Sequence, residues 1–373
     1  MSKPPHAGLY VHVPFCRTKC PYCAFYSLAD PSLLPRWMEA LQREMLVYQD
    51  TFPSFDSLYL GGGTPTLLNR GQWTDLMESL FATFSFAGRP EVTVEANPDD
   101  VTPDLMGLLR SLGVNRISLG VQSFLDGELQ DLKRRHTSQQ ATEALTCIRE
   151  SGFSNLGVDL MYGIPGQTEG TWLTTLQQAL EFTPEHISCY QFTIEEQTRF
   201  GKMRDRGLIR PLEQEQERRL FILTSKRLEA EGYLHYEISS YARGREHTCR
   251  HNVKYWRHIP YLGLGPSAHS YLGNRRWWNL RSITGYCRAL NRGGSPVADQ
   301  ETLTDDQRYL ESLLLGLRTA DGIDLGILRH RPQTEKLLED LEASGLVRMD
   351  DERVMPTREG FLVADGLPRL FSL

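Results

Sequence analysis

Short runs of apolar, β-branched residues recur along the first half of the chain, and segments with helical periodicity separate them. The runs lie at 9–13, 57–60, 92–95, 116–119, 157–160 and 186–190. Six strand-then-helix units in a row require right-handed crossovers and a mostly parallel sheet, either open and doubly wound or curled toward a barrel. We expect an α/β fold, built as a partial (β/α)6 TIM-like barrel over residues 1–235.

The second half of the chain follows a different pattern. After a charged helical stretch at 212–231, the residues from 233 to 279 are rich in aromatic side chains and histidine, and we expect loops there. This part belongs to a connecting segment, 236–300. Helices at 305–319 and 332–345, a small hairpin at 346–355 and a last helix from Thr357 then predict a C-terminal helical, winged-helix-like domain over 301–373.

Polar and glycine residues fall where the predicted strands end. A glycine-rich stretch, 61–66, follows the second run, and Glu95, Gln122 and Asp159 lie at or near the ends of the next three. The carboxyl ends of parallel strands carry the sites of (β/α) barrels. Open sheets place ligands at the same edge, so this pattern predicts the position of the site more firmly than closure of the barrel.

Composition narrows the classes of partner. The chain has 373 residues and a formal charge of −6, which gives no overall basic field for nucleic acid. No apolar run approaches the roughly 18 to 20 residues that span a bilayer, and the N-terminus lacks the apolar core of a secretory signal. We expect a cytoplasmic protein with no transmembrane segment and no nucleic-acid partner; peripheral membrane contact stays open.

Three of the seven cysteines are clustered, at Cys16, Cys20 and Cys23. A four-iron cluster normally takes four thiolates, so a compact trio leaves one iron open for another ligand. A structural zinc site would pair two Cys-x-x-Cys halves or add histidines, and no second half is evident. The remaining alternative is three ordinary buried thiols. The other four cysteines lie singly, and ordinary thiols are the favoured interpretation for each.

The glycine triplet at 61–63 allows close approach of the backbone to a ligand. Without side chains at a strand end, backbone groups can hydrogen-bond to a polar small molecule. The alternative is an ordinary turn, which glycines make wherever the chain reverses. The cysteine trio one strand earlier favours the ligand.

These motifs together resemble a known family. The Cys-x3-Cys-x2-Cys and Gly-Gly-Gly-Thr-Pro-Thr stretches look like the radical S-adenosylmethionine (SAM) superfamily. Within it the chain resembles the coproporphyrinogen-dehydrogenase-like (HemN/HemW) group, most closely the HemW-type haem chaperones. The stretches that carry the resemblance, beyond those two, are 10–16, 95–98, 120–124, 159–168, 251–256 and 263–269.

The resemblance implies two cofactors. Cys16, Cys20 and Cys23 would hold a [4Fe-4S] cluster whose open iron binds SAM, and an electron donor of flavodoxin or ferredoxin type would reduce it. Cleavage of SAM would then give a 5′-deoxyadenosyl radical. The positions that match the family's SAM contacts are Tyr10, Tyr22, Gly62, Gly63, Thr64, Glu95, Gln122, Arg134 and Asp159. For Arg134 the alternative is a solvated helix end.

Two features favour the chaperones within the group. The dehydrogenases carry a further cysteine two residues after the trio, where this chain has Phe25. Thr193 and His269 also depart from the dehydrogenase pattern, which argues against a second bound SAM. The stretch 251–256 resembles the haem-linked segment of the chaperones.

The candidate haem residues are His251 as iron ligand, with Tyr255 and Trp256 as flat apolar surface. A satisfied core histidine is the alternative, and the competing donors are His247, Cys249, His258 and His269.

The function that these features predict is a radical-SAM-type chaperone that binds haem and delivers it to acceptor proteins. Whether the protein is also an enzyme stays open. The alternatives are an oxygen-independent coproporphyrinogen III oxidase, which Phe25 disfavours, and a HemN-like radical SAM methyltransferase.

Overall fold

The first six strands and their helices form the expected βα series. The computed structural model describes residues 5–328 and 334–371. The strands are β1 (Ala7–Val13), β2 (Phe55–Gly62), β3 (Phe86–Ala96), β4 (Arg116–Gln122), β5 (Leu156–Tyr162) and β6 (His186–Gln191). The helices are α1 (Leu34–Tyr48), α2 (Arg70–Thr83), α3 (Pro103–Ser111), α4 (Asp126–Asp131), α5 (Ser138–Glu150), α6 (Glu169–Glu181), α7 (Arg199–Asp205) and α8 (Gln214–Ala230).

The six strands are parallel neighbours in chain order, and β1 and β6 do not pair with each other. This confirms an α/β partial barrel. Successive side chains along each strand point to opposite faces of the sheet, so one face meets the helices and the other the inside of the barrel. On β1, Leu9, Val11 and Val13 are fully buried in the large apolar core that the helices complete, whereas Tyr10 and His12 lie on the other face. The inner face of the curved sheet is therefore polar.

The expectation of loops over 233–279 was wrong, because this segment extends the sheet at both edges. It contributes β7 (Leu234–Glu237), β8 (Ser240–Ala242), α9 (Arg250–Trp256), β9 (Tyr261–Leu264), β10 (His269–Leu272) and β11 (Arg275–Asn279). α10 (Ile283–Asn291) and β12 (Val297–Thr302) follow. β8 pairs antiparallel with β6 and β9 parallel with β1, which makes a twelve-stranded sheet. Strands this short, with few apolar positions, carry almost no periodic signal.

The segment around α9 lies against the amino-terminal half of the barrel strands. Glu91 on β3 accepts a hydrogen bond from the backbone N–H of His251 at 3.1 Å. Arg116, the first residue of β4, donates to the carbonyl oxygen of His247 at 3.0 Å. The ammonium of Lys254 pairs with Asp56 at 2.6 Å. These contacts fix α9 across the end of the barrel opposite to the glycine corner, which is the turn made by Gly61, Gly62 and Gly63 at the end of β2.

The C-terminal part has its own small core. It contains α11 (Asp305–Gly316), β13 (Ile323–Asp324), α12 (Leu325–Leu328), α13 (Thr334–Ala343), β14 (Val347–Met349), β15 (Arg353–Pro356), α14 (Arg358–Leu362) and α15 (Leu367–Leu370). The expected hairpin is confirmed, since β14 and β15 pair antiparallel. The start of the helix expected at 332–345 lies outside the described residues. No helix in the described ranges is both long and apolar enough to cross a membrane.

Candidate functional site

A cavity of about 530 Å³ opens at the carboxyl ends of the barrel strands. All three clustered cysteines line it, and so do eight of the nine residues expected to contact SAM: Tyr22, Gly62, Gly63, Thr64, Glu95, Gln122, Arg134 and Asp159. Tyr10 does not reach the cavity, because its hydroxyl lies 3.0 Å from Nδ1 of His12 below the glycine corner. The candidate haem residues His251, Tyr255 and Trp256 do not line it either.

The cysteine loop follows β1 and is fixed at several points. The backbone N–H of Cys16 donates to the carbonyl oxygen of Leu28 at 2.9 Å, which closes the loop at its base. Arg17 forms an ion pair with the buried carboxylate of Asp100 at 3.0 Å. The three thiols are half-buried, and burial raises the pKa of Cys23. Within 5–328 and 334–371, no three His, Cys, Asp or Glu side chains converge to hold a single metal ion.

The glycine corner needs residues without side chains. Gly62 has a φ of +97°, and the N–H of Gly63 donates to the carbonyl oxygen of Val13 at 2.9 Å. A Cβ atom on Gly63 would lie 2.5 Å from that oxygen and from the carbonyl oxygen of Phe15. Gly61 and Gly62 belong to β2, so the turn begins later than expected. The backbone is thereby brought against the cysteine loop.

Glu95 is held in place by two donors. Tyr59 donates its hydroxyl to Oε1 at 2.9 Å, and the N–H of Gly62 donates to Oε2 at 2.9 Å. Burial raises the pKa of Glu95 to about 7, although both hydrogen bonds lower it and nearby Asp159 raises it further. The carboxyl group thus titrates near neutral pH and faces the cavity in a fixed orientation.

Arg134 is half-buried within the site. Its Nη2 donates to Oδ1 of Asn97 at 2.6 Å and to the carbonyl oxygen of Gly120 at 2.7 Å. Its Nη1 lies 3.6 Å from Sγ of Cys20 and 3.5 Å from the hydroxyl of Tyr22. The guanidinium therefore connects the cysteine loop to β3 and β4, in contrast to a solvated helix end.

Asp159 lies in the middle of β5, further from the strand end than expected. Oδ2 accepts a hydrogen bond from Ser118 at 3.0 Å, whereas Oδ1 is buried with no partner. Burial raises the pKa of this carboxyl group. Nε of Arg134 is also buried without a partner. Unsatisfied buried polar atoms are costly, and both lie on residues that line the cavity, so the site suits a polar ligand with its own donors and acceptors.

The segment 251–256 lies across the amino-terminal end of the barrel, and the side chain of His251 points inward. His251 is 1% exposed; its Nδ1 lies 3.2 Å from Oγ of Ser57 and its Nε2 lies 2.8 Å from the hydroxyl of Tyr255. The ring of Tyr59 lies 5.3 Å from that imidazole. Trp256 points away toward the C-terminal part, where Arg318 lies 5.5 Å from its ring. The three candidate haem residues thus do not form one open surface in this structure.

Several lining residues were missed by the sequence analysis. Tyr59, Ser118 and Tyr190 face the cavity from β2, β4 and β6, and Asn97 follows β3. The signal that could have found the first three is the period-2 alternation, which places polar residues on the inner face of each strand. Asn97 carries no such periodicity.

Comparison with known proteins agrees with this geometry. The model of the radical SAM superfamily matches residues 10–179, and that of the HemN C-terminal domain matches residues 303–363. Proteins named heme chaperone HemW are 33% identical in Mycobacterium tuberculosis, over 97% of this chain and 94% of the relative, and 32% identical in Bacillus subtilis, over 95% and 96%. The chain belongs to the HemN/HemW group of the radical SAM superfamily.

Membership in this superfamily implies a [4Fe-4S] cluster and SAM. The fold agrees with that of a solved member of the group, coproporphyrinogen III oxidase (HemN) from Escherichia coli. The TM-score is 0.83 and the identity 25%, and the match covers 99% of this chain and 90% of that one. The sequence resemblance to the HemN/HemW group is therefore confirmed, as is the α/β radical SAM fold with its C-terminal domain.

Proposed function

We propose that this protein is a radical-SAM-type haem chaperone, which binds a [4Fe-4S] cluster, SAM and haem and delivers haem to acceptor proteins. The observation that carries the proposal is Phe25. It stands two residues after the cysteine trio, at the cavity, and 67% of its side chain is exposed. A phenyl ring cannot supply the further thiol of the dehydrogenases, while near-full-length relatives are named haem chaperones.

The residues of the cavity suit both cofactors. Cys16, Cys20 and Cys23 supply three thiolates for the cluster. Gly62 and Gly63 leave this wall of the cavity without side chains, so the methionine part of SAM could approach the backbone there. When bound, the cluster supplies the electron that cleaves the sulfonium group of SAM.

The polar side chains would orient SAM. Glu95, with both oxygens already fixed by the protein, would accept hydrogen bonds from the ribose hydroxyls. Asp159 and Arg134 carry the unpartnered buried atoms that a polar ligand can satisfy. Tyr22 and Gln122 line the same cavity. Tyr10 does not line the cavity, so it would affect SAM only indirectly, through its contact with His12.

Haem ligation by His251 requires movement of α9. The imidazole is buried and both ring nitrogens have partners, so an iron could reach Nε2 only after the contact with Tyr255 breaks. His251, Tyr255 and Trp256 are the proposed haem-binding residues. The segment that carries them opens before it binds haem. The location in the cytoplasm and the acceptor proteins stay predictions.

A second candidate is the coproporphyrinogen III oxidase activity itself. The structural agreement with HemN favours it, whereas Phe25 disfavours it. The two candidates differ in products, because an oxidase consumes SAM and releases carbon dioxide from the propionates of its substrate, whereas a chaperone retains haem and passes it on.

The deciding experiment uses protein reconstituted with cluster under anaerobic conditions. Haem is added in equimolar amount, unbound haem is removed, and transfer to a haem-free acceptor is followed by absorbance. In parallel, the same protein receives coproporphyrinogen III and SAM. We expect haem retention and transfer, with no oxidised porphyrinogen product. Turnover of coproporphyrinogen, or S-adenosylhomocysteine formation with a methylated product, would contradict the proposal.

A further inference from the structure

Asp100 is buried just behind the wall of the central cavity. It ends the short turn 97–100 that follows β3, and its side chain is 0% exposed. Asn97 and Asp99 of the same turn line the cavity, whereas Asp100 does not. Asp100 therefore does not touch a ligand there, and any effect on cofactor binding must pass through the residues that it contacts.

The contacts of Asp100 lie on three different segments around the cavity. Oδ1 pairs with Nε of Arg17 at 3.0 Å and lies 3.7 Å from Nη2 of Arg135. Oδ2 accepts a hydrogen bond from the hydroxyl of Thr66 at 3.3 Å. Arg17 belongs to the cysteine loop, Arg135 to the loop between α4 and α5, and Thr66 to the turn after β2. One buried carboxylate thus joins all three segments.

Each of these segments carries groups expected to hold a cofactor. The cysteine loop carries the three thiols, the loop between α4 and α5 carries Arg134, and the turn after β2 continues from the glycine corner. Asn97 joins only two of them, since Nδ2 donates to Oγ1 of Thr64 at 3.1 Å and Oδ1 accepts from Arg134 at 2.6 Å. Asp100 adds the cysteine loop to this connection.

The carboxylate could instead serve only the stability of the fold. A buried ion pair is weak evidence for that role, because desolvation of the charges offsets their attraction and well-packed apolar side chains are often as stable. The side chain of Arg17 is 55% exposed, and it has no other carboxylate partner in the described part of the chain. A buried carboxylate that holds an exposed arginine fixes the position of the loop that carries the arginine.

We propose that Asp100 is a positioning residue for cofactor binding. Through Arg17 it holds the cysteine loop at a fixed position relative to the glycine corner and the guanidinium of Arg134. The thiols that would hold the cluster and the groups that would bind SAM are then set for the same ligand before it arrives. The inference rests on the cluster and SAM of the proposed function and does not involve haem.

The test compares the wild type with R17Q, D100N and the double variant R17Q/D100N, each reconstituted with cluster under anaerobic conditions. Calorimetric titration measures SAM affinity, and electron paramagnetic resonance measures the response of the reduced cluster to SAM. Loss of a group that orients metal ligands costs roughly 10- to 100-fold in affinity or activity, so each single variant should bind SAM about tenfold more weakly. The double variant should show no further loss, because both changes break one contact. R17K, which keeps the charge, should lose less than R17Q.

E185Q is the matched control for a loss of stability. Glu185 pairs with Arg149 at 2.9 Å and accepts a hydrogen bond from the N–H of Leu156 at 2.8 Å, at the amino-terminal end of the barrel strands. Both E185Q and D100N remove the charge of a carboxylate that pairs with an arginine. E185Q should resist urea less well than the wild type and bind SAM with unchanged affinity.

A second readout needs neither cluster nor SAM. Hydrogen exchange of the amides in the cysteine loop, 16–28, should become several-fold faster in cluster-free R17Q and D100N and not in E185Q. If D100N does not fold, R17Q carries the test, because the side chain of Arg17 is largely exposed.

Wild-type SAM affinity or wild-type exchange in both R17Q and D100N would overturn the proposal. So would an equal loss of SAM affinity in E185Q, or losses that add in the double variant. A wild-type protein that assembles no cluster would instead refute the proposed function, and hydrogen exchange would still test the role of Asp100.

Discussion

Nε2 of His251 and the hydroxyl of Tyr255 share a hydrogen bond of 2.8 Å, one turn apart on α9. Burial, the larger cause, and the nearby ammonium of Lys254 lower the pKa of His251 to about 3. The ring is therefore neutral at physiological pH, the form that ligates iron. Nε2 is nevertheless hydrogen-bonded to Tyr255 and the ring is buried, so this contact must break and α9 must move before the ring could ligate haem iron.

Substitution of Tyr255 by Phe should test whether His251 is a haem ligand or an ordinary core histidine. The change leaves Nε2 of His251 without a partner, and an orphaned buried nitrogen costs about 1–3 kcal/mol. If His251 is the haem ligand, Y255F should bind haem several-fold more tightly, with the electron paramagnetic resonance (EPR) spectrum of a low-spin histidine complex. Y261F removes a neighbouring phenol that is not bonded to His251 and serves as control. Identical haem spectra and affinities in all three proteins would remove the ligand assignment.

Asp321 should restrain the opening of α9. Its carboxylate pairs with Arg245 at 2.9 Å and with Arg257, which lie on either side of the helix. Loss of both contacts in D321A should speed hydrogen exchange of the amides in α9 several-fold and accelerate haem association. E359A, which removes an exposed ion pair with Arg218, is the control. If exchange increases while the haem association rate stays constant, haem does not enter through α9.

Tyr59 should control the affinity for SAM through Glu95. A hydrogen bond to a carboxylate lowers its pKa, so loss of the hydroxyl in Y59F should raise the pKa of Glu95 above its value of about 7. The carboxylate that accepts ribose bonds exists above that pKa. We therefore expect SAM affinity to rise with pH between about 6 and 8 in the wild type.

In Y59F, the midpoint should move upward and affinity at pH 7 should fall by about tenfold. Calorimetric titration across this pH range measures both effects, and Y48F, whose phenol lies outside the cavity, is the control. A wild-type affinity independent of pH would contradict the proposed role of Glu95.

Buried histidines and buried carboxyl groups should have opposite effects on the pH dependence of the free energy of unfolding. Burial lowers the pKa of His12 to about 4 and of His251 to about 3, so the unfolded chain binds more protons below pH 6.5. The histidine contribution to the free energy of unfolding then falls by about 1.4 kcal/mol per histidine for each pH unit between 6.5 and the folded-state pKa. Burial raises the pKa of Glu44 and Glu95 to about 7, so their contribution is complete below pH 4.5 and disappears as the pH rises through 7.

Urea unfolding of the wild type and of E44Q at pH 4.5, 5.5, 7 and 8 separates the carboxyl contribution from that of the histidines. Glu44 is the sharper test, because its carboxyl group is buried among Tyr286, Asn279 and the N–H of Gly265. E44Q cannot ionise and should reduce the loss of stability between about pH 4.5 and 7. An E44Q curve parallel to that of the wild type would show that Glu44 does not titrate in this range.

The sequence was sufficient for the βα series and for the cysteine and glycine motifs, because both depend on local patterns. Residues such as Val11 and Leu58 mark strands by alternation, and strand ends fix the edge at which the site forms. The strands β7 to β11 were missed, since short edge strands are determined by pairing partners distant in the chain.

Parts of the site were not predictable for the same reason, since they depend on residues distant in the chain. Tyr59 was not identified because its role depends on Glu95, 36 positions away, and on the ring of His251. The burial of His251 was likewise not predictable, since it requires α9 to lie across the barrel rather than on its surface. Local sequence identifies chemistry, whereas tertiary packing decides which of two chemical roles a residue can take.

The most direct test of the account is whether SAM binds at a cluster held by Cys16, Cys20 and Cys23. The measurement is the EPR spectrum of the reduced, anaerobically reconstituted protein before and after addition of SAM. We predict about four iron and four sulfide per chain and a change in the EPR spectrum when SAM is added. Replacement of Cys20 by alanine should abolish the cluster and the spectral change. Protein that holds tetrahedral zinc without sulfide, or a cluster whose spectrum ignores SAM, would contradict the account.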